Sequence, residues 1–144
     1  DLVSHNDPNL DNVVFRNGRA AAFIDFDLAS PGSALWDIAA AARFWAPLRS
    51  DSDITDSRRG HSLQRFRTLV DAYGISDRDR GQLVDAVRLN HDWLYGIVRS
   101  GAEGGNPGFA DYWQQAADRV HRTRDWYAAN HHLLTEALTG CVHG

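Results

Sequence analysis

Asp7, Asn12 and Asp25 are the residues of this sequence whose types and spacing could do chemistry. They lie in His5-Asn6-Asp7-Pro8-Asn9-Leu10-Asp11-Asn12 and, shortly after, in Ile24-Asp25-Phe26-Asp27. Phosphoryl transfer needs such a set: one carboxylate where a substrate hydroxyl gives up its proton, and an amide oxygen with a second carboxylate to hold Mg²⁺ against the phosphates. Mg²⁺ is a hard octahedral cation that takes few protein oxygens and shares the rest with water and phosphate, so one Asn and one Asp suffice.

The elements around these residues must gather them. Asn12 to Arg16 reads as a short strand, and Asn17-Gly18 is a strong two-residue hairpin signal because both residues tolerate positive φ. Arg19 to Asp25 reads as the returning strand, which sets Asn12 opposite Asp25 and leaves Asp7 on the loop before. Ala20 to Ile24 is apolar without alternation, which predicts a strand buried on both faces. Asp25 emerging from such a strand is a costly lone carboxylate unless a cation lies beside it. The simpler reading is an Asp that ends the strand and caps a turn. Asp1 to Ser4 reads as an extended lead-in with Leu2 and Val3 buried, and Ala29 to Ser33 as a loop.

His-x-Asp-x-x-x-x-Asn followed by an apolar residue and Ile-Asp-Phe-Asp resembles the aminoglycoside phosphotransferase/choline kinase superfamily, the small-molecule relatives of protein kinases. The resemblance is plain over residues 1 to about 48 and rests on helical character beyond. It implies an α+β, mostly helical, protein-kinase-like C-lobe over residues 1–144, with the catalytic loop and metal hairpin at 1–32, about four helices at 33–144, and no N-lobe. By resemblance Asp7 is the catalytic base, with His5 supporting its loop. Asn12 and Asp25 hold Mg²⁺ and through it ATP or GTP. Asp27 matches a second acidic position at the metal. Asp37, in Asp37-Ile38-Ala39, matches a downstream motif whose carboxylate holds backbone N–H groups of the catalytic loop. The acceptor is a small-molecule hydroxyl of unspecified kind. Asn6 departs from the pattern, since Gly is commoner there and Arg occurs in protein kinases; without Arg, control through a phosphorylated activation loop is not expected.

Composition narrows the class. An apolar fraction of 43% and a charged fraction of 24% are those of an ordinary globular chain. A net charge of −4 argues against a nucleic-acid partner and mildly favours a cationic or neutral substrate. Cys141 is the only cysteine, so no intrachain disulfide can form. No stretch approaches a membrane span and no basic-then-apolar leader is present, so a cytoplasmic location is expected. The sequence has neither Met nor Lys, and its 15 basic residues are all Arg. Kinase-like enzymes grip the α/β-phosphates with an N-lobe lysine, which Arg replaces poorly. The expectation is therefore a lobe with little activity alone, whose bare apolar surface meets a missing N-lobe or a second copy.

Beyond the hairpin, Ser33 reads as the N-cap of a largely buried helix over Leu35 to Trp45, with Asp37 in its first turn and Arg43 available to a carboxylate. For Asp37, the alternative to a loop-holding role is a first-turn residue favouring the helix dipole. Pro47 ends that helix, and the polar stretch Arg49 to Gly60 reads as a solvated surface loop with an acidic cluster. Helices are expected over His61 to Tyr73, with Gly74 as the stop, from the Ser76 cap to Arg99, and from Phe109 to about Thr139 with a bend near Ala128-Ala129-Asn130. The stretch 101–108 reads as a flexible loop. His91 and neighbouring Asp92 either line a substrate pocket or, the blander reading, sit at the core boundary. Asp111, Asp118, Asp125 and Glu136 are weaker contributors to an acceptor wall, and His121, His131, His132 and His143 lack the spacing of a metal site. Two rival functions remain open: a non-catalytic binding or immunity module on the same lobe, and a metal-dependent phosphohydrolase, for which no water-activating arrangement is visible.

Overall fold

In the computed structural model, which describes residues 2–140, a small β part precedes four helices. The strands are β1 (Leu2–Ser4), β2 (Val13–Arg16), β3 (Arg19–Phe23) and β4 (Ser30–Gly32); the helices are α1 (Ala34–Trp45), α2 (Ser62–Tyr73), α3 (Asp77–Glu103) and α4 (Pro107–Thr139). The chain is thus α+β and mostly helical. No helix among the described residues is long and apolar enough to cross a membrane.

The hairpin forms at the expected turn. Asn17 (φ 50°) and Gly18 (φ 72°) both take left-handed backbone, the requirement of the tight turn whose twist matches paired strands. β2 and β3 pair antiparallel with Val13 opposite Phe23 and Val14 opposite Ala22, and a bulge between Val14 and Phe15 absorbs one residue. The residues read as a loop at Ala29–Ser33 instead contain β4, which pairs antiparallel with β1, Ser4 opposite Ser30 and Leu2 opposite Gly32. Gly32 permits this because a Cβ there would collide with the Ser4 hydroxyl.

Burial of the β part differs from expectation. Every residue of β3 is exposed, Asp25 is exposed, and Leu2 and Val3 are 42% and 70% exposed. The physical reason is the absence of a layer: a two-stranded hairpin has two faces, and here neither is covered by a helix. The unbroken apolar run suits burial on two faces, but the described cover is slight: the His5 ring lies 5.4 Å from Phe23 and the Trp45 ring 5.9 Å from Phe15.

The helical part follows its local signals. Ser33 Oγ accepts from Trp36 N–H at 3.1 Å and starts α1; Ser76 Oγ accepts from Asp79 N–H at 3.2 Å and starts α3. Gly74, at φ 78°, ends α2 with its N–H donating to the Val70 carbonyl. Asn106 caps α4 by accepting from Phe109 N–H at 3.2 Å, with Pro107 in the first turn. α3 therefore runs further than expected, and only three residues, Gly104 to Asn106, connect it to α4. α4 is continuous through Ala128-Ala129-Asn130, where Asn130 Nδ2 donates back to the Trp126 carbonyl at 2.9 Å. The core is where α1, α2, α3 and α4 meet, with Ile38, Phe66, Val70, Leu83, Val87 and Leu134 all buried.

Two charged features resolve differently from the expectation. Arg43 is buried and pairs with an amide, not a carboxylate: its Nη1 donates to Asn90 Oδ1 at 2.7 Å, and its guanidinium lies 5.0 Å from the Phe44 ring centre and 5.7 Å from that of Tyr95. The acidic stretch after α1 is committed to structure. Asp51 accepts from Gly60 N–H, Asp53 takes a two-pronged bond from Arg122 at 2.7 and 3.1 Å, and Asp56 pairs with Arg58. The hydrogen bond from Arg122 holds the Asp53 carboxyl below the usual range, and that from Arg58 does the same for Asp56. Ile54, inside this stretch, is buried and pins it to the core.

Candidate active site

The loop between β1 and β2 is held by side chains folding back on it. Asn9 caps the single 3₁₀ turn Leu10–Asn12, its Oδ1 accepting from Asp11 N–H at 2.9 Å and Asn12 N–H at 3.2 Å. The same residue's Nδ2 donates to Asp7 Oδ1 at 2.9 Å. Asn12 Nδ2 donates to the other oxygen, Asp7 Oδ2, at 3.2 Å and to the Asp7 carbonyl at 2.9 Å. Each oxygen of the Asp7 carboxylate thus receives one amide N–H, which fixes its direction and leaves acceptor capacity for a substrate proton.

The orientation of Asn12 matters for a metal. Its NH₂ is consumed by Asp7, so its amide oxygen points elsewhere and accepts no hydrogen bond among the described residues. The hairpin carries on one step past β2 and β3, Ile24 N–H donating to the Asn12 carbonyl at 3.0 Å. Asp25 is the next residue, so the register sets it beside Asn12. It takes left-handed backbone (φ 58°), a conformation uncommon outside glycine, and its carboxylate has one long contact, 3.4 Å from Asp27 N–H. Strain and a free, exposed carboxylate coincide there, as they do at functional sites. Asp27 is exposed two residues on. A hard divalent cation fits this donor set of one amide oxygen and one carboxylate, the rest being water and phosphate. Among the described residues no three His, Cys, Asp or Glu side chains converge, which covers His121, His131 and His132; Cys141 and His143 lie outside those residues.

His5 ties the two halves together. Its Nε2–H donates to the Ile24 carbonyl at 2.7 Å, and its Nδ1 accepts from Asp7 N–H at 3.2 Å, which specifies one neutral tautomer. The ring also packs on Phe23 and Phe26, with centroids 5.4 and 4.7 Å away. It is a positioning residue, joining the Asp7 backbone to the residue before Asp25.

Three contributors were not foreseen. Asn6 is 1% exposed at φ 70°; its Nδ2 donates to the Leu28 carbonyl and Ser30 Oγ, both at 2.8 Å, and its Oδ1 accepts from Trp36 Nε1 at 2.9 Å. Trp45 Nε1 donates to the Pro8 carbonyl at 2.8 Å. Asn9 orients Asp7 as described. For Asn6 a signal existed: Asn where the pattern prefers Gly marks left-handed backbone, which Asn tolerates. Asp37 does not reach the loop. It is half-buried in the first turn of α1, and its carboxylate accepts no hydrogen bond among the described residues. The helix is joined to the loop by Trp36 and Trp45 instead, and the first-turn reading describes Asp37 better.

Replacing Asn6 with Ala should destabilise the chain by about 3 kcal/mol, because three half-buried partners lose their bonds to a buried amide and a Cβ is kept at positive φ. Asn6→Gly should recover the backbone part only, a difference that urea denaturation of the two variants will measure.

Asp7 and Asn9 stand in the wall of a cavity of about 460 Å³ formed with Leu28, α1, α3 and the start of α4. A larger one, about 540 Å³, runs along α2 past Arg58, His61 and Arg65, away from Asp7 and without a carboxylate in its lining. His91 lines neither. It borders a small cavity of about 30 Å³ with Arg43, Arg49 and Tyr127, and Asp92 beside it pairs with Arg124 at 3.3 Å.

Comparison with known proteins bears on the family. Residues 2–83 match the phosphotransferase enzyme family. The trifolitoxin immunity protein of Rhizobium leguminosarum bv. trifolii is 33% identical over 91 residues, which cover 58% of this chain and 33% of that protein. The chain thus spans about a third of the length of that curated relative. No solved structure matches it significantly. With more than half of its length matched, and with the loop and hairpin residues inside the matched part, the chain belongs to the phosphotransferase enzyme family.

Proposed function

We propose that this chain is the acceptor- and metal-binding lobe, built like a protein-kinase C-lobe, of an ATP- or GTP-dependent small-molecule O-phosphotransferase. One observation supports the reading: Asn12 spends its NH₂ on Asp7, its oxygen accepts no hydrogen bond among the described residues, and its backbone carbonyl is bonded to Ile24, the residue before the exposed Asp25. That one amide couples a proton acceptor to a metal ligand. Asn12 Oδ1 and Asp25 would hold Mg²⁺, with Asp27 the further carboxylate on that side; the ion supplies charge neutralisation at the β- and γ-phosphates. Asp7 orients the acceptor hydroxyl and takes its proton. His5 and Asn6 keep loop and hairpin in register, so that catalysis is chiefly positioning and charge compensation.

The reading needs a cation for the α/β-phosphates from another lobe, since the sequence has no lysine. We assign that lobe to the bare apolar face of the hairpin region, where Phe15, Phe23, Ile24 and Phe26 are about half exposed. Mn²⁺ used as a paramagnetic substitute should broaden the NMR signals of Asn12 and Ile24 in the wild-type chain, and Asp25→Ala should remove the effect. Unchanged broadening in Asp25→Ala would refute the metal role.

The second reading is a non-catalytic binding module, favoured by the immunity function named for the relative. Protection conferred equally by wild type and by an Asp7 variant would support it; protection lost with Asp7 would support chemistry.

A further inference from the structure

The cavity beside Asp7 is mostly apolar, with Leu28, Phe44, Leu94, Val98 and Phe109 in its walls and the neutral hydroxyl-bearing rings of Tyr95 and Tyr112 among them. Of the two amides that also touch it, Asn9 caps the 3₁₀ turn and bonds Asp7, while Asn106 spends its oxygen on the α4 cap and keeps its NH₂ for a neutral acceptor group. Among the described residues that line it, Asp7 is the only carboxylic acid and there is no basic side chain, and on the proposed reading the work of Asp7 is to take a proton.

The acidic residues that could have met a cationic acceptor are elsewhere. Asp111, Asp118, Asp125 and Glu136 are exposed and none lines the cavity, while Asp53 is bound by Arg122. Nor is the aromatic wall a free cage for one quaternary ammonium. Aromatic faces attract a cation through their ring electrons, but the Arg43 guanidinium already lies 5.0 Å from the Phe44 centre and 5.7 Å from that of Tyr95. Arg119 donates to the Tyr112 hydroxyl at 3.3 Å. Burial and the neighbouring Tyr95 push that hydroxyl up to about 12, so it remains a neutral donor. Positive charge therefore stands behind the aromatic wall, and a second cation in front of it would be repelled.

We infer that the acceptor is an uncharged, largely apolar alcohol carrying a flat ring system, not a polyamine sugar or a quaternary ammonium alcohol. The inference rests on the phosphotransferase reading for the fate of the hydroxyl. The volume, about 460 Å³, lies in the range that encloses small organic ligands. The ring fills the space between α3 and the start of α4 and the hydroxyl reaches Asp7. In the transfer the acceptor O–H gives its proton to the Asp7 carboxylate and its oxygen forms a bond to the γ-phosphorus of a nucleoside triphosphate. The bond from that phosphorus to the β,γ-bridging oxygen breaks, and the electron pair leaves with the nucleoside diphosphate.

Calorimetric titration of the chain with 2-naphthylmethanol, choline and 2-deoxystreptamine tests this. The neutral aromatic alcohol should bind at least tenfold more tightly than either cation. Leu94→Glu should weaken it at least tenfold and Leu94→Phe much less, with the melting temperature of each variant recorded to confirm folding. Tighter binding of either cation, or equal binding of the alcohol by folded Leu94→Glu, would overturn the proposal. Because no nucleotide or metal is used, this failure is separate from failure of the Mn²⁺ test at Asp25, which would remove the transfer reading and leave the ligand class standing.

Discussion

On the proposed phosphotransferase reading, replacement of Asp7 by Asn should lower phosphoryl transfer by about a thousandfold in an assembly that supplies a nucleotide-gripping lobe. A positioned general base contributes roughly 10²–10⁴-fold, and two further losses follow from the geometry. Asn9 and Asn12 each aim an N–H at a different Asp7 oxygen, at 2.9 and 3.2 Å. An amide in that place sets its own NH₂ against one of those donors, so the side chain must turn or one bond must break. If it is the bond from Asn12 that breaks, the free orientation of the metal-side oxygen goes with it. The loss should therefore appear in kcat more than in KM for the acceptor, whose apolar wall is untouched. Wild-type turnover by Asp7→Asn would exclude the proton-acceptor role.

Acidification should cost the fold about 2–3 kcal/mol through one buried histidine. His91 is 3% exposed, and its protonation is lowered from the ordinary 6.5 to about 4. Burial is the first cause and Arg43 the second; Asp92, 3.6 Å from the ring nitrogen, opposes both, and Arg124 adds a further lowering push. The groups facing it come from three helices: Arg43 of α1, Asp92 and Tyr95 of α3, and Arg124 and Tyr127 of α4. The Tyr127 hydroxyl, pushed up to about 12 chiefly by burial, stays neutral throughout. A histidine whose folded value is depressed stabilises the native state fully above its unfolded value. That contribution falls as the pH drops below about 6.5 and is exhausted near 4, because the unfolded chain takes up the proton first. Urea midpoints at pH 7 and pH 4.5 measure the loss, and His91→Gln should remove most of it while the loss common to all carboxylates remains. Equal pH dependence in both proteins would refute it.

Much of the site was legible in the residues. The spacing of Asp7 and Asn12, the Asn17-Gly18 turn and the aspartate ending the next strand are local features, and a two-residue turn converts sequence distance into neighbourhood by register alone. The caps Ser33 and Ser76 and the stop at Gly74 are local in the same way, which makes the starts of α1 and α3 and the end of α2 legible; the start of α4 at Pro107, capped by Asn106, falls where the sequence reads as loop. The end of α3 is not legible either: Gly101 reads as loop chemistry, yet it is helical, and its missing Cβ leaves room for the Phe109 ring.

By itself the sequence determined that one tight turn returns the backbone of Ile24, next to Asp25, to that of Asn12, and that Ala20 to Ile24 is apolar on both faces. Only the tertiary structure decided that those faces lie open, that Asp37 leaves the loop to Trp36 and Trp45, and that Arg43 faces Asn90 and two aromatic rings. The reason is separation along the chain. Backbone conformation and turn chemistry are set within a few residues, whereas cover for a strand, or a partner for a buried charge, must come from residues 30 or more positions away. Which of them arrives is settled by how the helices pack.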